Sequence, residues 1–252
     1  MKKVNSIVSL LILLFLLSAC AKKQYAVKSV NGYLVEMNSR FDNQDSPEMA
    51  NLVQKYKSQL DSKMNQVIGE ADQTLKKVGV QSALANFTTD AMLEYATGLW
   101  GTVDFAVINN GGLRATLNQG AVTVEDLYEI YTFENRLVLL DLRGTAVKQL
   151  FEGFAKRKIE GFSKSVRLVI KNKAIESLTI GGKPLDENAT YRIVTVDYLA
   201  EGNDGMTALT QATHYTESDI ILRDVMIEYV KKLTAENKKI HAIPDDRIEV
   251  KE

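Results

Sequence analysis

The sequence predicts an α+β fold, a single layered domain with a mixed β-sheet and packed helices. Three observations predict it. Apolar residues recur at helical spacing over 84–99 and 219–233. Short β-prone runs lie between these stretches, and two of them, 166–170 and 175–180, read as the arms of a hairpin. Helices and strands follow one another irregularly, without the strict alternation of a doubly wound parallel sheet.

The first segment reads as an address. Lys2 and Lys3 form a positive start, 7–17 is apolar, and Leu17-Ser18-Ala19-Cys20 has the form of a bacterial lipobox. The apolar run is shorter than the ~20 residues a spanning helix needs. It is therefore read as a lipoprotein signal peptide over 1–19, with Cys20 as the lipidated residue and the chain held on the outer side of a membrane, periplasmic or cell-surface. Residues 20–45 are expected to form an anchor segment with a short hairpin. Its turn is Asn31-Gly32, a strong hairpin pair, between Tyr-Ala-Val at 25–27 and Tyr-Leu-Val at 33–35. The folded domain is placed at 46–252.

Within that domain Pro47 and Glu48 open a helix reaching about residue 64, with Pro in the first turn and an acid near the positive end of the dipole. A strand starts at Val67. The helix over 84–99 buries Leu84, Phe87, Ala91, Met92, Tyr95 and Leu99 on one face, and 103–108 is a buried strand. Thr123 caps a short helix, with Asp126 three residues on as its box partner. A strand over 136–142, a helix over 144–156, the hairpin, a strand over 191–199, the helix over 219–233 and a final strand over 247–250 complete the reading.

Composition excludes more than it assigns. Hydrophobic residues make up 45% and charged residues 25%, the balance of a globular protein. A net charge of -1 gives no basic excess for a nucleic-acid partner. The single cysteine forms no internal disulfide, and the two histidines, His214 and His241, have no metal-ligand spacing.

Three loops carry the chemistry: Asn109-Asn110-Gly111-Gly112-Leu113-Arg114, Tyr131-Thr132-Phe133-Glu134-Asn135, and the run from Tyr198 to Gly205. Paired glycines let a backbone approach a ligand closely. Arg114 offers a planar donor fork for phosphate or carboxylate. Phe133 and Tyr198 offer flat faces for a base, Asn135 a donor and an acceptor for its edge, and Asp204 an acceptor for neighbouring hydroxyls. Ring, sugar and phosphate together describe a nucleotide. Taken singly, each has a blander reading as turn, core aromatic or solvated charge.

The three loops together resemble the C-terminal, substrate-binding domain of 5'-nucleotidases, with its Asn-Gly-Gly-Gly-Ile-Arg loop, Pro-Phe-Gly-Asn turn and Leu-Ala-x-Gly-Gly-Asp-Gly loop. The likeness runs from about Met64 to Leu209 in the same order and with similar separations. It implies that Arg114 contacts phosphate and Asn109 the nucleoside. Phe133 and Tyr198 would stack on the base, Asn135 would lie near it, and Asp204 would bind the ribose hydroxyls. The chain departs from the pattern at Asn110, Thr132 and Asn203, at Ser163-Lys164, and at Gly79-Val80-Gln81-Ser82-Ala83, where relatives place arginine. The family's metal-binding motifs, Asp-x-His and Gly-Asn-His-Glu, do not occur. The resemblance thus implies a recognition subunit of a split 5'-nucleotidase. No catalytic residue or cofactor is expected in this chain, and the divalent metals would come from a separate metallophosphoesterase polypeptide. The alternatives are a non-catalytic nucleoside-binding lipoprotein and an interaction lipoprotein with a decayed pocket.

Overall fold

The structure, a computed structural model, describes residues 25–36, 38–41, 46–157 and 160–251. The signal peptide and Cys20 lie outside the described residues. The described residues up to Asn51 and those from Leu52 on fall into two separate units.

The hairpin expected at Asn31-Gly32 does not form. Residues 25–36 have no regular secondary structure, and Tyr25 and Leu34 are fully exposed. Asn-Gly favours a tight turn, but two isolated strands without a sheet or helix to pack on are marginal in water. Helix α1, Pro47–Met64, forms where predicted. None of its residues is buried, and Leu52, Val53, Tyr56 and Leu60 are all at least half exposed.

The core is built on a five-stranded mixed sheet. The strands that form it are β2 (Phe105–Asn109), β4 (Leu137–Arg143), β5 (Glu160–Phe162), β9 (Thr190–Val196) and β10 (His214–Thr216), in the order β10-β4-β9-β2-β5. Only β2 and β9 are parallel. Every residue of β2 is buried, as expected of a strand covered on both faces. Two smaller sheets flank it. One pairs β1 (Val67–Ala71) with β3 (Gly120–Thr123). The other orders β11 (Ile248–Lys251), β6 (Val166–Lys171), β7 (Ala174–Ile180) and β8 (Lys183–Pro184).

Helix α2, Ala83–Trp100, buries Leu84, Phe87, Ala91 and Met92 as its period predicts, whereas Leu99 is exposed. Ser82 caps it, accepting the Ala85 N–H at 3.1 Å. Helix α3, Val124–Ile130, carries the predicted capping box, with the Asp126 carboxylate accepting the Thr123 N–H at 2.7 Å. Helix α4, Gly144–Arg157, follows β4 directly. A Cβ at Gly144 would lie 2.1 Å from the Asp186 carbonyl oxygen. Gly144→Ala must therefore displace backbone, and is expected to cost about 3 kcal/mol, read as a fall in the urea midpoint.

The strand expected over 191–199 ends at Val196, and Asp197–Ala200 forms a short helix, α5. The Asp197 carboxylate accepts the N–H of Tyr198 at 2.8 Å and of Arg136 at 3.1 Å, which turns the chain out of the sheet. Helix α6, Leu222–Ala235, packs on α2 and β1.

A candidate nucleoside-binding cleft

The topology brings the three loops to one end of the central sheet. Parallel β2 and β9 both finish there, and antiparallel β4, whose Leu137 pairs with Val196, begins there. The first loop therefore leaves β2, the second enters β4 and the third leaves β9. Backbone hydrogen bonds join them. The Arg114 N–H donates to Ile130 O at 2.9 Å, and the Asp197 N–H donates to Arg136 O at 2.9 Å.

All six residues singled out in the sequence, Asn109, Arg114, Phe133, Asn135, Tyr198 and Asp204, line one cleft of about 310 Å³, together with Gly111 and Gly112. The two rings are 49% and 41% exposed, so each presents surface to the cleft or to solvent although aromatic side chains are usually buried. The Arg114 guanidinium lies 5.9 Å from the Phe133 ring centroid and donates to Gly111 O at 3.3 Å.

Asp204 is the hub. Asn109, 4% exposed at the end of β2, donates its amide N–H to Oδ2 at 2.5 Å. The Tyr198 hydroxyl donates to Oδ1 at 3.1 Å. That hydrogen bond, with desolvation and the negative charge of Asp204, raises the Tyr198 phenol above its ordinary value. Asp204 has a left-handed backbone, φ 52° and ψ 29°, between Gly202 at φ 87° and Gly205 at φ 73°. Aspartate tolerates that region better than most residues, at some cost in strain. The Asn109 amide oxygen is buried without a hydrogen-bond partner.

Two residues that support the loops from behind were not legible in the sequence. Arg157, at the end of α4, donates to Gly205 O at 3.3 Å. Arg223, at the start of α6 and buried, lies 4.0 Å over the Tyr128 ring, donates to Tyr131 O at 3.4 Å, and sits 3.8 Å from the Glu134 carboxylate. No local pattern marks either residue, since each contact spans dozens of positions.

Among the described residues no group of three or more His, Cys, Asp and Glu side chains could hold a metal ion. His214 and His241 are exposed, and His241 Nδ1 lies 2.8 Å from the Asp72 carboxylate. No helix among the described residues is long and apolar enough to cross a membrane.

Comparison with known proteins places the family. Residues 67–211 match the family model described as 5'-nucleotidase, C-terminal domain. The chain is 32% identical over 184 residues to Protein UshA of Yersinia enterocolitica, covering 71% of this chain and 32% of that protein. It is 26% identical over 211 residues to the trifunctional nucleotide phosphoesterase protein YfkN of Bacillus subtilis, covering 75% and 14%. The 5'-nucleotidase precursor of Thermus thermophilus superposes with a TM-score of 0.69 at 26% identity, covering 80% of this chain and 42% of that one. The chain thus spans at most about a third of the length of these two curated relatives. With its three loops, its mixed sheet and the matched residues 67–211 all in agreement, the chain belongs to the 5'-nucleotidase C-terminal domain family.

Proposed function

We propose that this chain is the nucleoside- or nucleotide-recognition subunit of a split 5'-nucleotidase, with the metal centre for phosphate-ester hydrolysis supplied by a separate metallophosphoesterase polypeptide. The observation that carries the reading is the convergence of two half-exposed rings, a guanidinium and a hydrogen-bonded carboxylate in one cleft. Phe133 and Tyr198 would hold the base, Asn135 its edge, Asp204 and Asn109 the sugar hydroxyls, and Arg114 the phosphate. Hydrolysis of the phosphate ester needs metals that activate water and clamp the leaving oxygen, and among the described residues no group of His, Cys, Asp and Glu side chains is placed to hold such a centre. Lipidation of Cys20 would hold the assembly on the outer side of a membrane.

One observation favours a second reading, nucleoside binding without hydrolysis. Arg114 is the one cationic side chain lining the cleft among the described residues, and the stretch from Gly79 to Ala83 contributes no other. A phosphate would then add little affinity over the bare nucleoside.

Calorimetric titration of the purified chain with adenosine and AMP, divalent metal chelated, tests the cleft. Adenosine is expected to bind, and Phe133→Ala to weaken it about 5- to 30-fold, the lower part of the range for a stacked base because the ring is half exposed. Absence of binding up to millimolar adenosine overturns the assignment. AMP hydrolysis by this chain alone with added Mn²⁺ or Zn²⁺ would overturn the split-enzyme reading.

A further inference from the structure

We infer that the Tyr198 hydroxyl determines how strictly the cleft demands a complete vicinal diol on the sugar. The inference rests on the nucleoside reading of the cleft and concerns a group that stacking does not use. A ring at this position stacks equally well with or without its hydroxyl. Here the hydroxyl donates to Oδ1 of Asp204 at 3.1 Å while Asn109 donates to Oδ2 at 2.5 Å.

Those two donors act on opposite oxygens of one carboxylate, and together they fix its plane. The backbone leaves it little other freedom, because Asp204 sits in a left-handed turn between two positive-φ glycines. Gly205 is further held by the Arg157 guanidinium, which lies where a Cβ would come within 2.7 Å. The carboxylate is therefore oriented before a ligand arrives.

Each oxygen retains one open acceptor position beyond the bond it already accepts. A ribose, with two neighbouring hydroxyl donors, fills both. A sugar lacking either hydroxyl fills one, and a carboxylate held at both oxygens cannot turn to give the remaining hydroxyl its better geometry. Preorganisation thus raises affinity for the diol and withholds it from the deoxy sugars. Without the phenolic donor, Asp204 is held at Oδ2 alone and turns about its terminal torsion, which is a soft, broad one. Tyr198 acts here as a positioning and specificity-determining residue.

The test compares adenosine, 2'-deoxyadenosine and 3'-deoxyadenosine by calorimetry on the full chain and on Tyr198→Phe. Tyr198 is 41% exposed and its hydroxyl donates to Asp204, so the variant keeps both the fold and the ring. The ratio of deoxyadenosine to adenosine Kd is expected to fall about three- to tenfold, the net worth of roughly one ordinary hydrogen bond, since the carboxylate is reoriented and not removed. Loss of stacking alone would weaken all three nucleosides together and leave the ratio in place. An unchanged ratio with adenosine still bound overturns this inference and leaves the nucleoside reading standing. If the parent chain binds none of the three, the nucleoside reading falls and this inference with it.

Discussion

Arg247→Met is expected to destabilise the fold by about 3–5 kcal/mol. The guanidinium is only 5% exposed and its donors are fully used. It bonds the Asp90 carboxylate at 2.9 and 3.2 Å, the Asp245 carboxylate at 2.7, 2.9 and 3.1 Å, and the Phe162 carbonyl at 2.9 Å. One cation thereby joins α2, β5 and the C-terminal segment that leads into β11. Methionine fills the space but leaves two carboxylates facing each other without a cation, and a buried carbonyl without a donor. Replacing the whole ionic cluster by apolar residues would be far milder than removing one member of it, which is why the loss should be large without the cluster being a large source of net stability. A fall in unfolding free energy below about 1 kcal/mol would show that solvent reaches the cluster.

The same cluster sets an acid limit. Burial pushes the Asp245 carboxyl up, but the hydrogen bonds and charge of Arg247, with the Gln81 amide, outweigh it and leave the carboxyl below its ordinary value. A depressed carboxyl contributes stability above its unfolded pKa, near 4 for aspartate, and that contribution is lost as pH falls through the lower folded value. The parent chain should therefore lose stability on acidification below about pH 4. Arg247→Met should show a shallower loss over the same range. An equal loss of unfolding free energy between pH 6 and pH 3 in the parent and in Arg247→Met, measured by urea unfolding, would contradict the assignment.

How much of this was legible in the sequence depended on whether a feature is local. The buried strand β2, the period of α2 and the Thr123–Asp126 box all carry their cause within a few residues, and all three form as expected. Strands β3, β5, β8 and β10 were missed. Each has four residues or fewer, too short to display a period, and each exists because a neighbour offers a free edge, as β4 does for His214–Thr216. The end of β9 was misplaced because Tyr198 and Leu199 continue an apolar run, whereas the turn is made by Asp197 capping backbone N–H groups from two segments. The hairpin at Asn31-Gly32 failed for the converse reason, a good local turn without a sheet to join. The cleft was legible as three loops because a resemblance tied them together. The residues behind it, Arg157 and Arg223, were not, because their partners are 48 and 92 positions away.

Asp204→Ala is expected to raise the adenosine Kd roughly 30- to 1,000-fold, about 2–4 kcal/mol from two charge-assisted hydrogen bonds to the sugar. This exceeds the loss expected for Phe133→Ala, because a half-exposed ring keeps part of its solvent contact whereas the carboxylate is held ready at both oxygens. The variant has a second consequence. Asn109 Nδ2 and the Tyr198 hydroxyl lose their common acceptor, and the already orphaned Asn109 amide oxygen is joined by an orphaned amide N–H beside it. Asn109 is therefore expected to lose its orientation along with Asp204, so that Asn109→Ala and Asp204→Ala together weaken binding by less than the product of the two single effects. Asp204→Asn should resemble Asp204→Ala rather than the parent, since its amide offers one acceptor and places an NH₂ against an existing donor. A double-mutant cycle on adenosine binding, with far-UV circular dichroism to confirm the fold, measures both points. An Asp204→Ala variant that binds adenosine within about threefold of the parent would show that the sugar lies elsewhere. Strict additivity of the two substitutions would show instead that Asn109 and Asp204 grip the ligand independently, and that the bond between them at 2.5 Å contributes nothing to the cleft's readiness for a nucleoside.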